Sequence, residues 1–366
     1  MRSGIAIDVL PASRGDCLWI ECIRPKGPPW RLLVDGGMPD TWPVLRDRVL
    51  ALAKTGPVHF DLAVVSHIDS DHIGGMLPLF AVTDPNITFG DIWFNGLPQL
   101  PEPGTSRSRS VAEGERLVDL LSGQRLGSLL PWNERFGRAA VMTKEDGAYQ
   151  EITYANGPTL TLLSPTPRRL GALRRVWTNE LLRLQRGEPS ELPTAAVQLP
   201  LNNLEALAAI ESARDQSPAN GSSIAFLLEY AGRSCLLAAD AFSSVLGNAL
   251  TSIANAREGR PIEVDLLKLP HHCSKGNVTS NLLRVVPAQH YVVSTNGDRF
   301  SHPNDIALAR VVTAAKRKPT LWFNYATAAT LRWSDADLQA KYPFSTRYPA
   351  QGDEGGVRLE LPGDCL

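Results

Sequence analysis

The stretch Asp61-Leu62-Ala63-Val64-Val65-Ser66-His67-Ile68-Asp69-Ser70-Asp71-His72-Ile73-Gly74-Gly75-Met76 constrains this chain more than any other. Leu62 to Val65 is a short apolar run rich in β-branched residues, the pattern of a buried strand. It ends in four metal-type side chains within six positions: His67, Asp69, Asp71 and His72. An extended start would set residues 67, 69 and 71 on one side, and a turn would bring His72 round to join them. Gly74 and Gly75 then let the backbone turn before an apolar segment begins a helix. Imidazole and carboxylate together suit Zn, Mn or Fe, with the carboxylates favouring harder ions. A polar loop with a helix-capping Asp would explain one such residue, but not four followed by Gly-Gly.

At 366 residues the chain holds one elaborated domain or two. Its apolar content of 43% supports a sizeable core, and its net charge of −1 supplies no basic field that would mark a nucleic-acid binder. Five scattered cysteines without a Cys-x-x-Cys favour a reducing compartment over a disulfide framework. The first residues lack the apolar run of a signal peptide, and no segment has the length to span a bilayer. A soluble, cytoplasmic protein with no membrane partner is expected.

Along the first part, Ile5, Ile7 and Val9 alternate as a strand, Cys17 to Ile23 makes a second, and Arg31 to Val34 a third that stops at Asp35-Gly36-Gly37. Pro43 to Lys54 has helical spacing and leads into the metal-type stretch, a βαβ-like step. Ile87 to Phe89 and Ile92 to Asn95 read as strands. The pattern then changes. Prolines 98, 101 and 103 and the run Ser106-Arg107-Ser108-Arg109-Ser110 suggest an exposed stretch. Helices follow at about 111–121 and 170–185, the second lying in an arginine-rich region from Arg168 to Arg186. A hairpin is expected around Asn156-Gly157, and residues 200–214 offer a further helical stripe. Residues 98–215 are therefore read as a mostly helical insertion that caps or flanks a cleft, splitting a domain formed by 1–97 and 216–340 and leaving 341–366 as a loosely ordered tail.

From Ser222 the strands return, first as a hairpin ending at Asp240. A carboxylate after small and apolar residues needs pairing or a metal; capping the helix that begins near Ala241 is the plainer explanation. Val264 to Leu269 is another strand, and it runs into Pro270-His271-His272-Cys273-Ser274-Lys275. Strands at Tyr291 to Asn296, Leu321 to Tyr325 and Ala329 to Trp333 complete the set. His302, in a loop before a helix from about Asp305, reaches the cleft or stays on the surface. His59 and His290 read as structural.

The order His-x-Asp-x-Asp-His, strand-Asp240, strand-His-His resembles the metallo-β-lactamase superfamily, whose signature loop is His-x-His-x-Asp-His. Within it, His-x-Asp-x-Asp-His-Ile-Gly-Gly looks most like the soluble hydrolase domain of ComEC-type DNA-uptake proteins. The likeness covers residues 4–95 and 220–335. It implies an α/β fold, the αββα metallo-β-lactamase sandwich of two facing mixed sheets, with the helical cap inserted. It also implies two metal sites, zinc by default with Mn²⁺ compatible, held by His67, Asp69, Asp71, His72, Asp240 as the bridging carboxylate, and His271 or His272. The Gly-Asp loop at Asp16 and the Asp-Gly-Gly turn at Asp35 would border the cleft, behind the ligands or simply as turns. Two departures stand out. Cys273 occupies a glycine position of the family motif, which argues that the backbone there need not take a positive φ. No histidine lies between His72 and His271, and Asn220 stands near where a further ligand would fall. One site would then rest on His67, Asp69 and shared Asp240.

The favoured function is a metal-dependent phosphodiesterase or nuclease that uses a metal-bound hydroxide on a phosphodiester of DNA, RNA or a nucleotide. Asp71 anchors the catalytic metal, and Ser274, Lys275 and His302 orient the phosphate or protonate the leaving group. An alternative is hydrolysis of a lactone or thioester, favoured if Trp177, Leu181 and Leu182 form an apolar cap. A third is a non-catalytic or partner-activated component of a larger assembly, with a protein partner docking through residues 98–215.

Overall fold

The protein is described here from a computed structural model covering residues 3–100, 110–125, 128–144, 149–185, 198–298 and 301–364. In the first half, strands β1 (Gly4–Val9), β2 (Leu18–Ile23) and β3 (Trp30–Val34) precede helix α1 (Trp42–Ala53) and strands β4 (Val58–Phe60) and β5 (Leu62–Val64). Helices α2 (Ser70–Ile73) and α3 (Met76–Ala81) follow, then β6 (Ile87–Phe89), β7 (Ile92–Trp93), α4 (Ser110–Ser122), β8 (Gln124–Arg125) and β9 (Ser128–Leu129). Next come β10 (Gln150–Thr153), β11 (Thr159–Ser164), α5 (Pro167–Gln185), α6 (Leu204–Ala209), α7 (Pro218–Gly221), β12 (Ala225–Tyr230), β13 (Arg233–Leu237), α8 (Ser243–Ala256) and β14 (Val264–Lys268). The chain continues through α9 (Ser280–Val285), β15 (Ala288–Val293), α10 (Asp305–Ala314), β16 (Thr320–Phe323), α11 (Ala328–Leu331), α12 (Ala336–Lys341), β17 (Ser345–Arg347) and β18 (Val357–Pro362).

Two mixed sheets carry the architecture. One has the order β18-β1-β2-β3-β5-β7, the other β10-β11-β12-β13-β14-β15-β16-β17. In each, antiparallel strands at one side give way to parallel ones: β3, β5 and β7 in the first, β13 to β17 in the second. Residues from both, among them Ile5, Ile7, Leu32, Val64, Trp93, Phe226, Leu237 and Leu266, form the layer between the sheets. Helices cover the outer faces, with Leu45, Leu79, Leu117 and Trp177 in one core and Leu246, Leu250, Leu282 and Leu308 in the other. This is the αββα metallo-β-lactamase sandwich. Ligand-type side chains of such sheets gather beyond the carboxyl ends of the parallel strands.

Several expectations need correction. Residues 329–333 are helical: Thr327 and Thr330 form a reciprocal capping box that starts α11, so local side-chain bonding overrides the β-rich composition. Through residue 364 the tail is ordered, and β18 pairs antiparallel with β1 because Val357, Leu359 and Leu361 alternate inward against it. The β10–β11 hairpin lies in the larger sheet, where buried Leu160 and Leu162 join the inter-sheet layer, rather than in a cap. Helices α4 and α5 pack onto the first sheet's outer layer through Leu117, Leu121, Leu170, Leu173 and Trp177. The helix expected over 200–214 is reduced to α6. Among the described residues no helix is long and apolar enough to cross a membrane.

The glycines of the loops act through close approach more than through turning. Gly74 and Gly75 have ordinary helical φ values of −55° and −78°. A Cβ on Gly75 would lie 2.2 Å from the Gly36 carbonyl oxygen, and one on Gly15 would lie 1.8 Å from that of Asp71. Both clashes are with backbone, which has no rotamer to yield. Gly15→Ala is expected to destabilise the fold by about 1–3 kcal/mol or more through overpacking. Gly247→Ala, mid-helix in α8 with its nearest neighbour at 3.6 Å, should stabilise by roughly 0.5–1 kcal/mol. Denaturant midpoints of the two variants check both signs.

Candidate metal centre

Asp35, at the end of β3, is fully buried with φ +61°. Its Oδ1 accepts from the Ser66 backbone N–H at 2.7 Å, and its Oδ2 accepts from the Ser66 hydroxyl at 2.7 Å and from His72 Nδ1 at 2.8 Å. The Ser66 hydroxyl in turn stands 3.0 Å from His67 Nδ1. Because the carboxylate only accepts and Ser66 spends its proton on it, both histidines carry hydrogen on Nδ1 and present Nε2 forward.

His72 Nε2 lies 3.3 Å from His272 Nε2 and 3.5 Å from Asp240 Oδ1. His272 Nε2 is also 3.6 Å from Asp71 Oδ2 and 3.5 Å from Asp240 Oδ2. His272 Nδ1 donates to the Ser294 carbonyl at 2.8 Å, which fixes the same tautomer. Donors held about 2.0–2.2 Å from a tetrahedral ion lie about 3.3–3.6 Å apart, so these spacings are those of ligands around one cation. On the adjoining side, His67 Nε2 is 3.5 Å from Asp69 Oδ2. The buried His67 Nε2 and Asp240 Oδ1 have no hydrogen-bond partner among the described residues. Two imidazole nitrogens face to face and two orphaned buried polar atoms fit a cationic group. Groups that can hold an ion include His67, His72 and Asp240, and Asp71, His72 and His272.

The local structure differs from the extended reading of residues 67–71. Asp69 is extended at the N-terminus of α2 but makes no capping bond, leaving its carboxylate for His67; Asp71 and His72 come from the helix turn. Asp240 likewise caps nothing, since α8 starts at Ser243 after Phe242. Cys273 has φ +67°, following His271 at +49° and His272 at +51°, so the inference from its β-carbon is overturned. Three successive left-handed residues are a strained turn, held here by the His271 N–H bond to the Ala239 carbonyl and the Ser274 N–H bond to that of His271.

Charge follows from the packing. Burial alone would raise Asp71, but the hydrogen bond from His272 and the charge of His72 hold it well below the usual carboxylate range. Burial likewise opposes ionisation of Asp240, and His272, His72 and His271 overcome it. Burial opposes a proton on His272, yet Asp240 and Asp16 push it up to about 10. His302 is pushed well below the imidazole range by its burial and by His271 and His272.

The remaining candidates are close by. His302 is buried, its ring centroid 5.1 Å from that of His271 and 6.4 Å from that of His272. Asp69, Asp71, Asp240, His271, His272 and His302 line one cavity of about 400 Å³. Ser274 and exposed Lys275 line the adjoining groove of about 570 Å³, which shares Asp215, His271 and His302 with that cavity. Asp16 stands behind His272 at 3.4 Å from Nδ1. Sequence reading overlooked Lys268, which is buried and paired with Asp16, although a lysine inside an apolar strand was a signal. It also overlooked Asp215 and Asn277, whose loop positions carried none. Trp177 is buried in the outer core beside Gly114, with Nε1 3.2 Å from Glu115 Oε1, and Leu181 and Leu182 have no described side chains. Arg174 spends its guanidinium on the Leu97 and Leu100 carbonyls and Arg169 lies over the Phe242 ring, so neither is a free phosphate contact. Arg183 and Arg186 likewise lack described side chains.

Residues 31–114, which hold β3, Asp35 and the whole His67–His72 loop, match the family model of the metallo-beta-lactamase superfamily. No curated protein matches the chain. Among solved structures, a mutant of the CmlA beta-hydroxylase aligns at 13% identity and a TM-score of 0.40, covering 97% of this chain and 54% of that one. The chain therefore spans about half the length of that structure.

Two outcomes are expected. Asp35→Asn should weaken metal binding about 10–100-fold, because loss of the orienting carboxylate frees both imidazoles; equilibrium titration of the metal-free protein checks it. Loading Zn²⁺ near pH 7 should release protons from the cluster's imidazoles, and affinity should rise with pH. Calorimetry in buffers of different ionisation enthalpy counts them. In the metal-free protein the His272 contribution to stability is complete below 6.5 and is lost as pH climbs through about 10.

Proposed function

We propose that this chain is a metal-dependent phosphodiesterase, a nuclease or nucleotide hydrolase of the ComEC-like branch, loaded with zinc or with Mn²⁺. One observation carries the proposal: a carboxylate-rich centre adjoins a groove of mixed lining that exposes Arg214 and Lys275 and shares Asp215, His271 and His302 with it. Divalent ions bound there supply a water of lowered pKa and neutralise charge developing on phosphate oxygens.

The chain's own residues then divide the work. His67, Asp69, Asp71, His72, Asp240 and His272 hold the metals, with Asp35, Ser66, Asp16 and the Ser294 carbonyl keeping the imidazoles in register. Lys275 and Arg214 attract and align the phosphodiester along the groove. The Lys275 turn is rigid: its N–H donates to Asn304 Oδ1 at 2.7 Å and its carbonyl accepts from Arg310 Nη1 at 2.7 Å. Ser274 places a hydroxyl beside that turn, accepting from the Gly276 N–H at 3.3 Å. His302, buried and held neutral, lines both the cavity and the groove at their junction. Of the residues named for the acyl-hydrolase alternative, Trp177 belongs to the core and lines no cap.

With Zn²⁺ or Mn²⁺ present, the protein should cleave a model phosphodiester and DNA or RNA strands. Asp71→Ala should lower kcat/KM by more than roughly 100-fold, beyond the cost of losing an orienting partner. Lys275→Ala should act mainly on KM. Turnover of lactones or thioesters with every phosphodiester left intact would sink the proposal.

A further inference from the structure

His271 and His272 are adjacent in sequence yet face different parts of the cavity. His272 completes the cluster with Asp71 and His72. The His271 ring is turned the other way, and its Nε2 lies 3.8 Å from Asp240 Oδ2. Its Nδ1 sits in a built bracket: Asp215 Oδ2 is at 3.2 Å and Asn277 Oδ1 at 3.1 Å. Asp215 is itself held, accepting from Asn220 Nδ2 at 2.8 Å and from Asn277 Nδ2 at 3.0 Å. The backbone strap that carries Asp215 lies close on the next turn, where a Cβ on Gly276 would meet the Ala213 carbonyl at 2.9 Å.

This bracket repeats the way Asp35 holds His72. A carboxylate takes Nδ1, leaving Nε2 to face the Asp240 carboxylate, and such carboxylate–histidine pairs characteristically stand behind a metal. Asn220 turns its amide nitrogen, which cannot ligate a metal, to this bracket: Nδ2 donates to Asp215 and lies 3.4 Å from His271 Nδ1. His67, Asp69 and Asp240 leave a tetrahedral ion one ligand short. Resting on the metal-centre reading above, we propose that His271 is that ligand. The strained turn at 271–273 thereby sends two consecutive imidazoles to two different ions that share Asp240.

The experiment compares the wild-type protein with His271→Asn, reading metal stoichiometry by elemental analysis and the visible spectrum of the cobalt-substituted protein. Asn tolerates the left-handed backbone and can still bond Asp215, but it has no Nε2. The expected result is two ions in the wild type and one in the variant, with that ion bound as tightly as before and the cobalt spectrum halved and simplified. Retention of both ions at unchanged affinity overturns the inference while leaving the metal-hydrolase reading intact. Loss of both together also overturns it, since it marks a structural role. A wild-type protein that takes up no metal removes the underlying reading as well. If His271→Asn does not fold, Asp215→Asn should weaken one ion about 10–100-fold and leave the other unchanged; equal binding of both ions in Asp215→Asn counts against the inference.

Discussion

The buried carboxylate of Asp35 is the constraint on which the centre depends. It receives a backbone N–H, a hydroxyl and an imidazole, and through Ser66 it also governs His67. A carboxylate without water is stable only when its lone pairs are occupied, so the ends of β3 and β5 must meet in one register. The same register brings the Asp35 N–H to the Val64 carbonyl and the Gly36 N–H to that of His72. Ligand orientation and sheet pairing are therefore one network, and neither can shift alone.

The second sheet is tied in by a parallel device. Lys268 and Asp16 form a buried pair that links the end of β14 to the Gly15–Asp16 loop, and Ser294 donates to the Gly15 carbonyl at 2.8 Å. His272 is caught between Asp16 and the Ser294 carbonyl. Arg310 plays the corresponding part at the groove, gathering the carbonyls of Ala208, Ile210, Lys275 and Val278. Buried charge is costly, and here each charged group is offset by several partners, which makes these positions rigid. Rigid support of this kind is what a site needs to hold ligands at fixed spacing.

Much of this was legible in the residues. Alternation in β1 and the apolar runs of β5 and β14 located the sheets, because burial on one or both faces leaves a pattern that sequence displays. The loop from His67 to His72 announced a metal by sheer density of ligand-type side chains. Other features were hidden. The strand character of Val357–Pro362 depends on β1 lying beside it, and the helix at Ala328 depends on a capping box that outweighs β-branched composition. The glycines of the loop suggested a turn, whereas what they provide is room for a second backbone. Arg169 and Arg174, in the arginine-rich stretch of the sequence, are used inside the fold, one over the Phe242 ring and one on the Leu97 and Leu100 carbonyls.

The sequence by itself determined the layered α/β class, the approximate strands and helices, and the ligand-type side chains that gather at the candidate centre. Each of these follows from local periodicity or local composition. Only the tertiary structure decided which nitrogen of each histidine faces the centre, which of His271 and His272 joins Asp71 and His72, and that Asp215, Lys268 and Ser294 stand behind them. Those choices are made by hydrogen bonds between residues tens to hundreds of positions apart, and no local pattern records a partner that arrives from another strand.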